Sequence, residues 1–217
     1  MIKRGLLALS DHKSSALSPL ASLMLLSFLW SMSFSKEMML SKALFPGFLC
    51  LFSVSLLILS LISLYGSDVK NGFLMLLVGN KASLQRYVFS HYIASVVYGI
   101  VPMTILCTGI FALSQQGTYS SIVIFFLSHL SSCLVTLSLT HILSALSAHE
   151  EKRGVHSLFL LWPFLVPSLL LSLAAMSSET LTSAVYIILL NFSLVFIFFG
   201  AMLLLTPYLL ETLFDTD

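Results

Sequence analysis

Residues 65–92 read YGSDVKNGFLMLLVGNKASLQRYVFSHY, a charged stretch that separates two long apolar segments. Its charged side chains are Asp68, Lys70, Lys81, Arg86 and, when protonated, His91. A short helical pattern lies inside the stretch and spans about ten residues. Because a helix needs roughly 20 residues to cross a bilayer, this one cannot do so. The stretch is therefore predicted to lie at a membrane surface or to dock on another protein.

The central part of this stretch predicts one short helix over residues 68–78. Apolar residues recur there at i, i+4, i+7 and i+8, which is the spacing of a single helical face. These residues are Val69, Phe73, Leu76 and Leu77. Gly79 supplies a stop signal for the helix. We expect the apolar face to rest on the membrane helices, while Lys70 and Asn71 face the cytoplasm.

The composition predicts an all-α integral membrane protein. The chain has 217 residues, of which 58% are apolar and 9% are charged, whereas a soluble domain carries roughly 25% charged residues. The apolar runs are too long for strands, and only helices satisfy their own backbone groups in lipid. Six membrane-spanning helices in one domain are predicted, at 16–34, 43–64, 87–113, 119–146, 156–176 and 181–210. The net charge of +1 and the absence of a basic patch give no indication of nucleic-acid binding.

The placement of Lys and Arg predicts the orientation. Of the ten such residues, Lys36 and Lys42 fall in the first loop, and the other eight fall in segments on the opposite side of the predicted spans. The positive-inside rule places that opposite side, with both termini and residues 65–86, in the cytoplasm. Residues 1–15 combine basic charge with apolar residues at helical spacing. They predict either an interfacial helix on the cytoplasmic leaflet or a frayed basic terminus.

The sequence carries no pattern typical of a catalytic or metal site. It has no GxxxxGK[ST] phosphate loop and no HExxH or GxSxG motif. No Asp, Glu, Lys or Arg is predicted deep in the bilayer, which argues against a pump that works alone. The three cysteines, Cys50, Cys107 and Cys133, fall within spans without CxxC spacing and are interpreted as packing thiols. We therefore expect neither enzymatic activity nor a metal site in this chain.

Several intramembrane residues give local expectations. His129 leads a polar stripe with Cys133, Thr136 and Thr140, and it is a candidate haem ligand. The alternative, which we favour, is a histidine hydrogen-bonded to a neighbouring helix. Pro102 predicts a kink in the span 87–113, for which Ser83 is the expected N-terminal cap.

The fifth predicted span contains two prolines, Pro163 and Pro167, which are four residues apart and so share one helical face. Each proline removes a backbone hydrogen bond and clashes with the preceding turn. The pair therefore predicts a kinked or broken helix at this point in the span.

Four local motifs give the chain a likeness to a known family. These are LFPG at 44–47, YGSDVKNGFL at 65–74, GIVP at 99–102, and LWPFLVP followed by AAM within 161–176. With six predicted spans, the chain resembles the heme exporter protein B family, the permease subunit of the cytochrome c maturation ABC transporter. It departs from the family pattern at Ile62 and Met75, where that family tends to carry acidic residues. The resemblance is therefore to a divergent member.

The resemblance implies an ABC-2-type permease that is driven by a separate cytoplasmic ATPase. Residues 65–86 would be the coupling loop, and the expected partner-docking residues are Asp68, Val69, Lys70, Phe73, Leu76 and Leu77. The family's complex also contains a haem-handling membrane subunit and is expected to hold two copies of the permease. Haem would be a substrate of that complex and would not be bound directly by this chain.

The resemblance also implies a location and leaves two other functions open. The expected location is the bacterial inner membrane, with the mitochondrial inner membrane as the alternative. One other function is an ABC-2-type exporter permease for a lipid or a glycan. The second is a membrane scaffold that assembles a complex without transporting anything.

Overall fold

The computed structural model describes residues 44–61, 64–114, 118–148, 154–178 and 180–212. The predicted interfacial segment 1–15 and the first predicted span, 16–34, lie outside these residues. The helices are α1 (Leu44–Leu61), α2 (Gly66–Lys70), α3 (Met75–Val78), α4 (Lys81–Ser95), α5 (Val101–Ser114), α6 (Tyr119–Ser147), α7 (Gly154–Ser177) and α8 (Leu181–Thr212). A π-helical turn, Val96–Ile100, joins α4 to α5. No strand occurs in the described part of the chain, so the all-α prediction is confirmed there.

Within the described ranges, three helical segments are long and apolar enough to cross a membrane: Ala82–Leu113, Tyr119–Ser147 and Leu181–Thr212. They correspond to the spans predicted at 87–113, 119–146 and 181–210. The segments predicted at 43–64 and 156–176 also form helices, α1 and α7. The three long apolar helices give the chain the character of a membrane protein.

Helix α6 lies at the centre of the fold and packs against α1, α5, α7 and α8. Most of its residues from Phe125 to Ala145 are buried, and many of them are Ser, Thr or Cys. Small side chains let neighbouring helices approach closely, which replaces the hydrophobic drive that is missing between helices in lipid. The weakly polar composition of α6 therefore explains why it is the helix that the others surround.

A buried hydrogen-bonded seam joins α6, α7 and α8 around Asn191. The Asn191 side-chain amide donates to Ser131 Oγ and to Ser172 Oγ, each at 2.9 Å, and its Oδ1 accepts from Ser168 Oγ at 2.8 Å. Ser172 Oγ also lies 2.6 Å from Ser132 Oγ. Because a buried amide is costly unless its donors and acceptor are paired, this seam fixes how the three helices meet.

The proline of α5 and the two prolines of α7 differ in their effect on the helix. Ahead of Pro102, where a kink was predicted, the segment contains the π-helical turn Val96–Ile100. The break predicted at Pro163 and Pro167 is wrong, since both lie inside the continuous helix α7, where both are exposed. Each proline removes only its own N–H donor, and the hydrogen bonds of the residues between and beside them keep the helix intact.

We predict that Asn191→Leu lowers the stability of the folded chain by about 1 to 2 kcal/mol, because Ser131, Ser168 and Ser172 would lose a buried partner. The measurement is thermal unfolding of the purified protein in detergent. Ser193→Ala is the matched control, since Ser193 is exposed on the same helix and its hydroxyl donates to Leu190 O. Equal unfolding temperatures for the two variants would contradict the role given to the seam.

Candidate docking surface

Residues 64–80, here called the platform, fold into two short helices and not the single helix predicted over 68–78. The first, α2, ends at Lys70 and is followed two residues later by Gly72, which has a φ of +69°. Gly72 N–H donates to Val69 O at 3.0 Å and Phe73 N–H donates to Asp68 O at 3.1 Å. These two bonds form a Schellman motif, the usual helix end at a left-handed glycine. The prediction of a single helix failed because it took Gly79 as the end of the helix and overlooked the helix end before Gly72.

The platform packs on the membrane helices with a different set of side chains from the one predicted. Val69 and Phe73 are half-buried against the core, and Leu77 is buried, as expected. The expectation for Leu76 is wrong, because it is 82% exposed, and the fully buried Leu74 takes its place. The turn at Gly72 changes the helical register, so the apolar spacing read from the sequence does not describe one face.

The exposed residues of the platform are Lys70, Asn71, Met75, Leu76, Gly79 and Asn80. Met75 and Leu76 are adjacent large apolar side chains, with exposed fractions of 63% and 82%. Apolar side chains grouped beside a cationic and a polar residue are typical of a surface that another molecule covers. Of the six predicted docking residues, only Lys70 and Leu76 are exposed.

Asp68 faces inward, towards α4. The Tyr87 hydroxyl donates a hydrogen bond to Asp68 Oδ2, and His91 Nε2 lies 4.0 Å from the same oxygen. The position therefore suits Asp68 for holding the platform against α4.

Tyr65 ties the start of the platform to α6. Its side chain is fully buried, and its hydroxyl lies 2.5 Å from His141 Nδ1. Its backbone N–H donates to Ser144 Oγ at 3.2 Å. Burial, and secondarily the Asp68 carboxylate, raises the pKa of Tyr65 well above its usual range, so the phenol stays neutral and able to donate. Sequence reasoning missed this contact, because Tyr65 and His141 are 76 positions apart.

The end of the platform leads directly into α4. Asn80 is the N-terminal cap of α4, and its side chain accepts a hydrogen bond from Ser83 N–H at 3.3 Å. The predicted cap at Ser83 is therefore wrong. Asn80 has the extended backbone conformation that a cap residue requires, whereas Ser83 lies inside the helix.

His129 lies between α6 and α1, away from the platform. It is fully buried, its Nε2 lies 2.6 Å from Ser53 Oγ on α1, and its ring stacks on Phe125. The contact with Ser53 is the interaction that we favoured for His129 from the sequence, namely a hydrogen bond to a neighbouring helix. Among the described residues, no group of three or more His, Cys, Asp or Glu side chains is arranged to hold a metal ion. Cys50, Cys107 and Cys133 are buried thiols, as predicted.

We predict that Gly72→Ala loosens the platform by about 1 kcal/mol, because an alanine resists the left-handed conformation at this position. The change would be measured as faster hydrogen–deuterium exchange of the platform amides. Gly79→Ala is the matched control, since Gly79 has a φ of −65° and an added Cβ meets nothing within 4 Å at either glycine. If both variants exchange at the same rate, the conformation of Gly72 does not stabilise the platform.

Neither a protein-family model, nor a curated protein, nor a solved structure matches this chain. The resemblance to the heme exporter protein B family rests on the sequence motifs at 44–47, 65–74, 99–102 and 161–176.

Proposed function

We propose that this chain is the membrane-spanning permease subunit of an ABC transporter and that a separate cytoplasmic ATPase docks on its platform. The observation that carries the proposal is the contrast between the two sides of the platform. Leu74 and Leu77 are buried against the membrane helices, while Met75 and Leu76 are exposed on the opposite side. A surface that receives force from a partner needs both properties, a rigid attachment and an exposed contact.

The exposed side suits a groove on a soluble protein. Met75 and Leu76 supply an apolar contact, and Lys70 supplies a positive charge beside it. Short helical segments that bind grooves use a few apolar side chains in this way. The partner surface that fits is an apolar groove with acidic residues at its rim.

The attachment of the platform supports the transfer of motion into the membrane. The platform is continuous with α4 through the Asn80 cap, and it is fastened to α6 by Tyr65. The π-helical turn Val96–Ile100 divides the long apolar segment that follows, and such turns are frequent at functional sites. A displacement of the platform would thus move α4, and the segment could bend at the π-helical turn.

The finer architecture belongs to the same proposal. We infer six spans, consisting of residues 16–34 and five helical segments: α1, α4–α5, α6, α7 and α8. The arrangement would be that of an ABC-2-type permease, with two copies in the complex and both termini in the cytoplasm of a bacterial inner membrane. The distribution of Lys and Arg and the sequence resemblance support this part of the proposal.

The substrate assignment rests on the resemblance. We propose haem export or haem delivery for c-type cytochrome biogenesis, in which a haem-handling membrane subunit holds the haem. The hydrogen bond between His129 and Ser53 is in keeping with this division of labour, because it gives His129 a partner within the fold.

We predict that Leu76→Asp and Lys70→Glu each abolish co-purification of the ATPase with the detergent-solubilised chain. Leu76→Asp places a charge in the apolar contact, and Lys70→Glu reverses the charge beside it. Ala82→Asp is the matched control, because Ala82 is exposed and lies in the first turn of α4, where an acidic residue is favourable. If both platform variants retain the ATPase, or if the wild-type chain retains none, the proposal is wrong.

A second prediction separates haem delivery from other substrates. A host strain that lacks this chain should lose covalently bound haem in its c-type cytochromes, and the Leu76→Asp variant should fail to restore it. Haem staining of membrane proteins after denaturing electrophoresis measures this. Unchanged staining in the deletion strain would point to the exporter of a lipid or glycan. Full restoration by Leu76→Asp despite a lost ATPase would point to the scaffold.

A further inference from the structure

A cluster of ionisable side chains lies where the platform meets α4 and α6. Its members are Tyr65, Asp68, Tyr87, His91, Tyr92 and His141. All of them except Asp68 are less than a tenth exposed. The set contains two imidazoles, three phenols and a carboxylate. This is a large number of ionisable groups at one junction for a membrane protein of which 9% of the residues are charged. We call this set the junction cluster.

The first half of the junction cluster joins the platform to α4 through Asp68. Tyr87 donates a hydrogen bond to Asp68 Oδ2, and His91 Nε2 lies 4.0 Å from that oxygen. The Tyr87 and His91 rings are in contact, with centroids 4.5 Å apart. His91 is 3% exposed, so water screens its interaction with Asp68 only weakly.

The second half joins the platform to α6. The Tyr65 hydroxyl and His141 Nδ1 are 2.5 Å apart, and the Tyr65 ring also contacts the His91 ring at a centroid distance of 6.1 Å. Tyr92 contacts His141 on one side and Phe199 of α8 on the other. The His141 Nε2 atom is buried, and the described residues offer it no hydrogen-bond partner. The platform is therefore connected to both helices through side chains that carry protons.

We propose that the junction cluster is a proton-operated latch, in which protonation of His91 closes an ion pair with Asp68 and holds the platform against α4. When His91 loses the proton, the Tyr87–Asp68 hydrogen bond remains and the ion pair does not. Histidine is the side chain whose ordinary titration range falls between pH 5 and 8. The latch is a property of the folded chain itself, so it goes beyond the docking of an ATPase.

The groups around His91 favour this assignment. Asp68 is the one carboxylate that faces it from the platform, where Tyr65 is a neutral phenol. On its own helix the neighbour is Tyr87, also a phenol. On α6 the facing ionisable group is His141, whose Nδ1 is engaged by Tyr65. Helix α8 meets α4 here through the uncharged Phe199 ring. Among the described residues, Asp68 is therefore the carboxylate that a protonated His91 meets.

The test is hydrogen–deuterium exchange of the purified full chain at pH 5.5 and pH 8.0, corrected for the intrinsic pH dependence of exchange. For the amides of residues 66–80 we expect protection about fivefold higher at pH 5.5, the ratio that an ion pair worth about 1 kcal/mol produces. We expect higher protection at the lower pH because the ion pair with Asp68 forms only when His91 is charged. The wild-type comparison needs no substitution, so it does not depend on whether a variant folds.

Variants then identify the groups responsible. His91→Gln and Asp68→Asn should each bring the protection ratio close to one, whereas Tyr87→Phe should reduce protection at both pH values and keep the ratio. His129→Gln is the matched control, a buried histidine outside the junction cluster, and it should leave the ratio at about fivefold. A wild-type ratio near one overturns the latch. A ratio that survives in both His91→Gln and Asp68→Asn, or that is lost in His129→Gln, overturns it as well.

Discussion

The packing of this chain depends on one constraint: a polar side chain inside a bilayer must find its partner within the protein. Helix α6 meets this constraint for the whole fold. Its buried serines engage Asn191 of α8 and Ser172 of α7, its His129 engages Ser53 of α1, and its His141 engages Tyr65 of the platform. Each contact specifies one neighbour at one depth. Leucine and phenylalanine, which pack in many arrangements, could not give the same specificity.

The platform is part of this arrangement and is not a loop added to it. Its buried residues Tyr65, Leu74 and Leu77 belong to the same core cluster as Leu137 of α6 and Met202 of α8. A surface loop of similar length normally moves independently of the elements that it connects. Here the buried contacts make the platform and the membrane helices one packed body, so a force on Leu76 would act on the core directly.

The sequence predicted the helices better than their contacts. Length and apolar composition are local properties, and they located α6, α7 and α8 to within two residues at each end. The helix over 68–78 failed because one backbone conformation, at Gly72, outweighed a correct apolar spacing. The pairs Tyr65–His141 and Ser53–His129 each join residues 76 positions apart, and no periodicity in a single sequence indicates such a pair. The candidate docking residues stay a prediction; two of the six, Lys70 and Leu76, are exposed. The exposed Met75 was missed, and the half-buried Asp68 faces α4.

The π-helical turn Val96–Ile100 sets the tolerance of this chain to insertions and deletions. A residue added to or removed from an α-helix rotates everything beyond it by about 100°. Before the turn, Val88 and Tyr92 face α6 and α8, and after it Met103 and Cys107 face α1. The π-helical turn holds one residue more than the α-helical pattern needs, so deleting one residue within it would restore a regular α-helix and keep both pairs on their faces. The same deletion elsewhere in the segment would rotate one of these pairs away from its neighbours. Homologous chains should therefore differ in length by one residue at this turn more readily than at any other place in the segment.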